Sequence, residues 1–147
     1  MISLRHFMET DAECLQACQL HGKSMEDVLS LIHEWKTKSY NGKYFEMFAV
    51  VNDADIVGSI SLYEHSPSVA SVGVEILANH RRKGYAVDAM RLLLKYAMEK
   101  GYKIIQQQIR TDNVASIRLH EKLGFETDGY VYVNQKGHDI LLYLKAL

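Results

Sequence analysis

The chain has 147 residues, of which 48% are hydrophobic and 24% charged, and its formal net charge at pH 7 is −1. This length and composition predict one folded domain over residues 1–147 and argue against disorder. The near-neutral balance excludes nucleic acid as an expected partner, because phosphate-backbone binding needs a strongly basic face. Without a long apolar run or a signal-peptide core, we expect no membrane span and a cytoplasmic location.

The first half of the chain predicts a strand, two helices and three further strands. These elements are a strand at 2–8, helices at 10–20 and 24–40, and strands at 44–51, 56–64 and 69–77. Thr10 and Ser24 are the predicted N-caps, because each stands three residues before an acidic side chain. Cys14 and Cys18 lie one turn apart on the first helix, and we expect buried, reduced thiols there rather than a metal or redox pair.

The second half alternates helices and strands. Its elements are helices at 85–100 and 112–123 and strands at 103–110, 125–133 and 139–147. The full order, βααβββαβαββ, predicts an α+β fold in which helices flank a mixed, mostly antiparallel central sheet of about seven strands. The strand–helix–strand unit over 69–110 should form a parallel, right-handed crossover.

The stretch HRRKGYAVDAM at 80–90 brings three cations and a glycine to a helix start. A helix N-terminus has unpaired N–H groups and partial positive charge, and a glycine lets a ligand approach the backbone closely. The stretch therefore indicates a site for a pyrophosphate, with an ordinary exposed basic turn as the alternative. Neither the P-loop pattern nor the dinucleotide fingerprint is present, which disfavours nucleotide hydrolysis and hydride transfer.

A second stretch, NVASIRLHEKLGF at 113–125, follows a predicted strand. Together the two stretches resemble the GNAT superfamily of acetyl-CoA-dependent N-acetyltransferases. That family carries [RQ]-x-x-G-x-[GA], matched here by Arg81, Gly84 and Ala86. It also carries N-x-x-[AS]-x-x-L-Y-x-K-x-G-F, which this chain matches at Asn113, Ser116, Leu119, Lys122, Gly124 and Phe125, with His120 in place of the tyrosine.

The resemblance implies acetyl-CoA as co-substrate and no metal. It implies that the backbone of strand 69–77 binds the pantetheine arm, that the loop and first helical turn bind the pyrophosphate, and that Asn113 and Ser116 assist at the pantetheine. The strands at 69–77 and 103–110 are expected to splay apart around the cofactor. The implied cofactor-binding residues are Val74, Glu75, Ile76, Leu77, Arg81, Arg82, Lys83, Gly84, Tyr85, Ala86, Val87, Asn113 and Ser116.

The implied reaction is direct attack of an amine on the thioester in a ternary complex. A base or water path must take the proton of the amine, and an acid helps the thiolate to leave. His120 is the candidate acid or sulfur partner, since imidazole titrates at a pKa of about 6.5, or it merely packs near the cofactor. Glu75 is the candidate base if its strand position desolvates it; it could instead bind a cationic substrate or simply face outward.

The acceptor is expected to be a primary amine of a small molecule or a peptide, and the sequence leaves its identity open. Glu34, Glu46 and Glu64 could favour a cationic amine or be ordinary surface charges. The alternatives are a catalytically idle acyl-CoA-binding sensor or regulatory module and an interaction module with no cofactor affinity. A homodimer is left open, because exposed strand edges often pair or need covering.

Overall fold

A single mixed sheet organises the molecule, and the computed structural model describes all residues, 1–147. The strands are β1 Ile2–Arg5, β2 Ser39–Tyr40, β3 Lys43–Asn52, β4 Asp55–Ser66, β5 Val69–Ile76, β6 Ile104–Arg110, β7 Val131–Val133 and β8 Asp139–Ala146. The helices are α1 Ala12–Cys18, α2 Met25–Trp35, α3 Tyr85–Glu99 and α4 Val114–Lys122.

The eight strands run in the order β1-β3-β4-β5-β6-β8-β7, and β2 pairs with β3. Every neighbouring pair is antiparallel except β5 and β6, which are parallel. The predicted α+β class, the mostly antiparallel sheet and the parallel crossover through α3 are therefore confirmed. The short strand β2 is the one addition to the predicted order.

Two hydrophobic cores lie on opposite faces of the sheet. The larger, of 20 buried residues, packs α3 against the sheet through side chains such as Met90, Leu93 and Ile60. The smaller, of 7 buried residues, packs α1 and α2 against β3 through side chains such as Leu15 and Ile32. On this second face, α1 and α2 cover only the part of the sheet around β3. The part formed by β5 and β6 therefore has no helix packed on it.

The first two helices differ from the sequence prediction at the start of α1 and at the end of α2. The Ser24 cap is confirmed, since its Oγ accepts a hydrogen bond from the Asp27 N–H at 3.1 Å. The Thr10 cap is wrong: residues 9–11 form a 3-10 turn, and α1 begins only at Ala12. The helix predicted to reach residue 40 ends at Trp35, because the chain then turns through left-handed backbone at Lys38 (φ 53°) into β2.

The Asp11 carboxylate organises the turn before α1. Its oxygens accept hydrogen bonds from the Arg5 guanidinium at 2.8 and 3.0 Å and from the Met8 N–H at 2.8 Å. The bond from Arg5 is the main cause that lowers the pKa of Asp11. Asp11 therefore stabilises this turn by an ion pair with Arg5 and by a capping bond from the Met8 N–H, and not by the predicted capping box of Thr10 and Glu13.

The two cysteines are not buried, which corrects the sequence prediction. Cys14 and Cys18 are both free and exposed. The face of α1 that packs on the sheet is formed instead by Ala12 and Leu15. None of the helices combines the length and the apolar character needed to cross a lipid bilayer.

The pairing between β5 and β6 stops after two residue pairs, Val69 with Ile104 and Ala70 with Ile105. At the next level, side chains bridge the strands in place of a backbone ladder. On one face the Ser71 hydroxyl donates to the Gln106 carbonyl. On the other face the Gln107 amide accepts from the Val72 N–H and donates to the Val72 carbonyl, both at 2.8 Å. Beyond this level the strands separate, and we call the opening the split.

Candidate active site

The loop before α3 presents a set of unpaired backbone N–H groups. Arg82 (φ 64°) and Gly84 (φ 79°) adopt left-handed backbone, which turns the chain sharply into the helix. None of the N–H groups of residues 82–87 donates a hydrogen bond within the protein. Arg81 fixes the loop to the end of β5, because its Nε donates to the Ile76 carbonyl at 2.9 Å. An anion can accept hydrogen bonds from these free groups.

A small cavity of about 120 Å³ lies at this loop. Its lining residues are Ile76, His80, Arg81, Arg82, Gly84, Tyr85, Ala86 and Val87. The three cations at 81–83 are exposed around it. Free amides, a helix N-terminus and exposed cations together suit a phosphate group, so the predicted pyrophosphate residues are brought together in one place. Lys83 is exposed and does not line the cavity, so its charge acts on this site only from nearby in the loop.

The end of β5 offers a free peptide edge toward the split. The peptide groups of Val72 face β6, as their bonds to Gln107 show, and the two-residue period of a strand directs those of Val74 to the same edge. Nothing in β6 pairs with Val74, because the parallel ladder ends at Ala70. The N–H of Leu77, in contrast, is occupied by the Val57 carbonyl at 2.8 Å and is not free for a ligand.

A larger cavity of about 450 Å³ occupies the split. Its lining residues are His65, Ser71, Val72, Val74, Gln107, Gln108, Ile109, Ser116 and His120. Strand alternation places Val72, Gln107 and Ile109 on the face of α3 and α4, and places Ser71 and Gln108 on the opposite face. The cavity is therefore lined from both faces of the sheet, so two reactants can approach each other through it from opposite sides.

The hydrogen bonds of His120 assign its tautomer. The Gln107 amide is oriented by Val72, whose N–H needs the amide oxygen as acceptor. Gln107 Nε2 therefore donates its second proton to His120 Nε2 at 3.1 Å. His120 Nε2 is then an acceptor, and the ring proton lies on Nδ1, which donates to the Ser116 carbonyl at 2.7 Å.

His120 is a neutral imidazole in this arrangement. The side chain is only 4% exposed. Burial lowers its pKa, and the bond to Ser116 offsets this only in part. His120 thus carries its one ring proton on Nδ1, and both of its nitrogens are already bonded within the protein. In this arrangement His120 has no free N–H to donate to a leaving thiolate, as the predicted acid role requires. Its hydrogen bonds instead connect α4 to Gln107 on β6 and, through Gln107, to Val72 on β5.

Sequence reasoning missed Gln107, the side chain at the centre of these bonds. It is only 6% exposed, whereas its neighbour Gln108 is exposed. The signal was present in the run of three glutamines at 106–108 within a predicted strand, because alternation must turn at least one of them toward the core. A buried amide needs hydrogen-bond partners, so this position indicates a polar site inside the sheet.

Asn113 and Ser116 lie together at the start of α4. The Asn113 side chain accepts a hydrogen bond from the Ser116 N–H at 3.2 Å and caps the helix. Asn113 is exposed, and Ser116 lines the split. Both positions are near the predicted pantetheine path, but the oxygen of Asn113 already serves the helix and only its amide NH₂ is free.

Glu75 is exposed on β5, on the face opposite His120. The structure therefore lacks the desolvation on which its predicted role as base depended, and Glu75 is not among the residues that line the split. An exposed carboxylate at this place can still attract a cationic group that approaches the uncovered face of the sheet.

Two other carboxylates that could favour a cationic acceptor, Glu46 and Glu64, instead accept hydrogen bonds from side chains of the protein itself. Glu46 is 1% exposed. Its oxygens accept hydrogen bonds from three side chains, Tyr44, Tyr96 and His6. Burial alone would raise the pKa of Glu46, but these bonds outweigh it and hold the pKa below its usual range. Glu64 likewise accepts the hydroxyl proton of Tyr102 at 2.8 Å.

The sheet with a split between parallel strands, and the amide-lined helix start beside it, accord with an acetyltransferase domain, the class that the family comparison shows. Residues 2–126 match the model of the acetyltransferase (GNAT) domain. The chain belongs to the GNAT acetyltransferase family, and the predicted resemblance is confirmed.

Two curated relatives are N-acetyltransferases of Bacillus subtilis (strain 168) described as uncharacterized. The SPbeta prophage-derived protein YokL is 30% identical over 101 residues, which cover 67% of this chain and only 57% of YokL. YoaA is 26% identical over an alignment that covers 95% of this chain and 90% of YoaA. Among solved structures, the microcin C7 self-immunity acetyltransferase MccE in complex with acetyl-CoA and AMP shares the fold, with a TM-score of 0.82, 21% identity, and coverage of 99% of this chain and 92% of that one.

Proposed function

We propose that this protein transfers an acetyl group from acetyl-CoA to a primary amine of a small polar molecule or a peptide, by direct attack in a ternary complex. The observation that carries the proposal is the cavity at the split, which is lined from both faces of the sheet. Such a cavity allows the two reactants to be held together at one point, which by itself contributes strongly to the rate.

The residues of one face suit acetyl-CoA. The amides of residues 82–87 and the cations at 81–83 would hold the pyrophosphate, and the free peptide groups of Val74 would bond the pantetheine arm. When bound, acetyl-CoA supplies a thioester carbonyl that is ready for attack by an amine. A free N–H on β5 would polarise that carbonyl, as donors of an oxyanion hole do.

The opposite face suits the acceptor, because α1 and α2 leave β5 and β6 uncovered there. Direct attack is favoured over an acyl-cysteine route, since the only cysteines, Cys14 and Cys18, lie on α1 and do not line the split. In the direct route one C–N bond forms, one C–S bond breaks, and the amine loses a proton.

A relative suggests which acceptors to examine first. An enzyme of Pseudomonas aeruginosa (PAO1) named L-methionine sulfoximine/L-methionine sulfone acetyltransferase is 36% identical over 64 residues, or 43% of this chain. A solved neighbour is the spermidine/spermine N-acetyltransferase SpeG of Vibrio cholerae, with a TM-score of 0.78 and 17% identity. We propose amino-acid analogues as the first acceptor class, with polyamines and peptide N-termini next.

The second candidate function is an acyl-CoA-binding sensor without turnover. It is favoured by one observation, that His120, at the place of the family tyrosine, has both nitrogens bonded within the protein. This candidate predicts binding of acetyl-CoA and no release of free thiol with any amine.

The test measures thiol release from acetyl-CoA across a panel of these amines, together with coenzyme A binding. Lys83→Glu should raise the Kd of coenzyme A at least tenfold, since it places a carboxylate beside the phosphate site. Lys95→Glu, the same charge change on an exposed position of α3, is the matched control and should leave the Kd unchanged. Pantetheine has no pyrophosphate, so its binding should not respond to Lys83→Glu. Equal effects of both variants would contradict the assigned anion site.

A further inference from the structure

The split contains a second histidine, His65, that the sequence motifs do not include. His65 lies near the end of β4, where the pairing with β5 shifts its register between Glu64 and Ser66. The side chain is exposed, and its ring packs edge-on against Tyr63 at 5.3 Å. His65 Nε2 is 2.6 Å from the Oγ of Ser71. This residue therefore stands on the uncovered face of the sheet, at the mouth of the cavity.

The hydrogen bonds around Ser71 fix the proton on the His65 ring. The Ser71 hydroxyl has one proton, and it donates that proton to the Gln106 carbonyl. The Ser71 oxygen must then accept from His65, so the ring proton lies on Nε2. The Nδ1 of His65 has no hydrogen-bond partner in the protein and keeps its lone pair free.

The two histidines of the split are thus in opposite states. Both nitrogens of His120 are bonded within the protein, and it is buried on the α4 side. His65 has one nitrogen bonded and one free, and it is exposed on the acceptor side. They are the only ionisable side chains among the 9 residues that line the cavity. The nearest carboxylate in sequence, Glu64, points to the other face, where it is bonded to Tyr102.

We propose that His65 is the general base that takes the proton from the acceptor amine. This inference rests on the proposed function and assigns a residue to its proton transfer. As the nitrogen of the neutral amine forms the C–N bond to the acetyl carbon, His65 Nδ1 accepts its N–H proton. The C–S bond breaks, and its electron pair leaves with the sulfur. His65 releases its proton to solvent, and the thiolate takes one from solvent, so the protons balance.

Ser71 is a positioning residue in this scheme. Its bond to the Gln106 carbonyl ties the histidine to β6 across the start of the split, and its oxygen selects the tautomer with a free Nδ1. An imidazole with a free Nδ1 lone pair can accept a proton from an amine that enters the cavity. The position also explains how the amine can be deprotonated although Glu75 lies outside the cavity.

Kinetics of His65→Gln test the proposal. We expect kcat/KM for the amine to fall about 100-fold and the ascending limb of its pH profile, which reports the base, to disappear. The KM for acetyl-CoA should stay unchanged, since His65 lies on the acceptor face. His33→Gln, a change at an exposed histidine of α2, is the matched control and should keep the full rate and the pH limb. In His65→Ala, added imidazole should restore part of the rate.

A second measurement needs no turnover. Nitrogen-15 NMR of the imidazoles in the unliganded protein should show His65 with its proton on Nε2 and His120 with its proton on Nδ1. Ser71→Ala should weaken the preference at His65 and leave that at His120 unchanged. If His65 carries its proton on Nδ1, the proposal is overturned.

The outcomes separate this proposal from the proposed function. An active protein in which His65→Gln keeps its rate and pH profile overturns His65 as base and leaves the acetyltransferase intact. A protein that binds acetyl-CoA but acetylates no amine overturns both. Three results together support His65 as the base: loss of the ascending limb of the pH profile in His65→Gln, rescue of His65→Ala by imidazole, and a ring proton on Nε2 of His65.

Discussion

The two edges of β5 are bonded in different ways. Toward β4 the strand forms a backbone ladder of eight residue pairs, from Val69 to Ile76. Toward β6 it forms two pairs, and the next level is held by the side chains of Ser71 and Gln107. The edge toward β4 is therefore a continuous part of the sheet. At the edge toward β6, the side-chain bonds fix the point at which the split begins.

The difference teaches where a site can form inside a sheet. A continuous ladder satisfies every peptide group and leaves no opening. Where the ladder to β6 stops, the peptide edge of β5 becomes available to a ligand, and side chains set how far the strands separate. A neighbouring side chain such as His65, which is bonded to Ser71, is then positioned to act on a ligand that enters the split.

The largest expected effect breaks the closed edge. A Cβ added at Gly58 would lie 2.1 Å from the carbonyl oxygen of Glu75, so Gly58→Ala must push β4 and β5 apart. We expect the free energy of unfolding to fall by at least about 3 kcal/mol, measured by urea denaturation. Gly22→Ala is the control: nothing lies within 4 Å of its added methyl, and its stability should stay near that of the parent. Similar effects of the two changes would contradict the tight β4–β5 contact.

A smaller effect is expected at the open edge from Gln107→Leu. The substitution leaves the N–H and the carbonyl of Val72 and the Nε2 of His120 without partners. Because these groups border an open cavity that solvent can enter, we expect a loss of about 2 kcal/mol in the free energy of unfolding, less than the roughly 3 kcal/mol or more that three fully buried unpaired groups would cost. Gln108→Leu, on the exposed face of the same strand, should change it by less than about 0.5 kcal/mol. A loss at Gln108 that equals the loss at Gln107 would refute the bridge.

The buried histidine of the open edge should make stability depend on pH. The pKa of His120 is lower in the folded protein than in the unfolded chain, where it is about 6.5. The unfolded state therefore binds more protons as the pH falls through that value. The stabilisation is fully present above the unfolded pKa and is lost as the pH falls toward the folded one. Urea midpoints between pH 8 and pH 5.5 should drop less in His120→Gln than in the parent, whereas His33→Gln should keep the parent slope.

Local sequence signals predicted the helices and strands well and the side-chain contacts at the open edge poorly. The helix starts at Ser24 and Gly84, and the strands on either side of α3, follow from caps, glycines and alternation between neighbours in sequence. The bonds that set the split join Val72 to Gln107 and Gln107 to His120, residues 35 and 13 positions apart. Such contacts depend on the register of β5 against β6, which no local pattern specifies.

Contacts between residues far apart in sequence also determine the chemistry of His120, which the motif alone does not give. The motif singles out the residue, and the fold brings it to the split beside Gln107. Its chemistry, however, depends on which atoms surround its two nitrogens, and those belong to other elements. His65 shows the converse: it lies outside both motifs, and only the fold brings it to the cavity.

The smallest effect on stability is expected at Gly73, which shares the β4–β5 ladder with Gly58. An added Cβ at Gly73 would meet only the Ser61 Oγ, at 3.1 Å, and that hydroxyl can rotate away. Gly73→Ala should therefore change the free energy of unfolding by less than about 0.5 kcal/mol. Its methyl group would point to the uncovered face that we assign to the acceptor, so the KM of the amine should rise while the KM of acetyl-CoA stays constant. If the KM of acetyl-CoA rises instead, the two reactants approach from the faces opposite to those assigned. Substitution of Gly58 thus tests the close contact between β4 and β5, whereas substitution of Gly73 tests the access of the acceptor to the uncovered face of the same two strands.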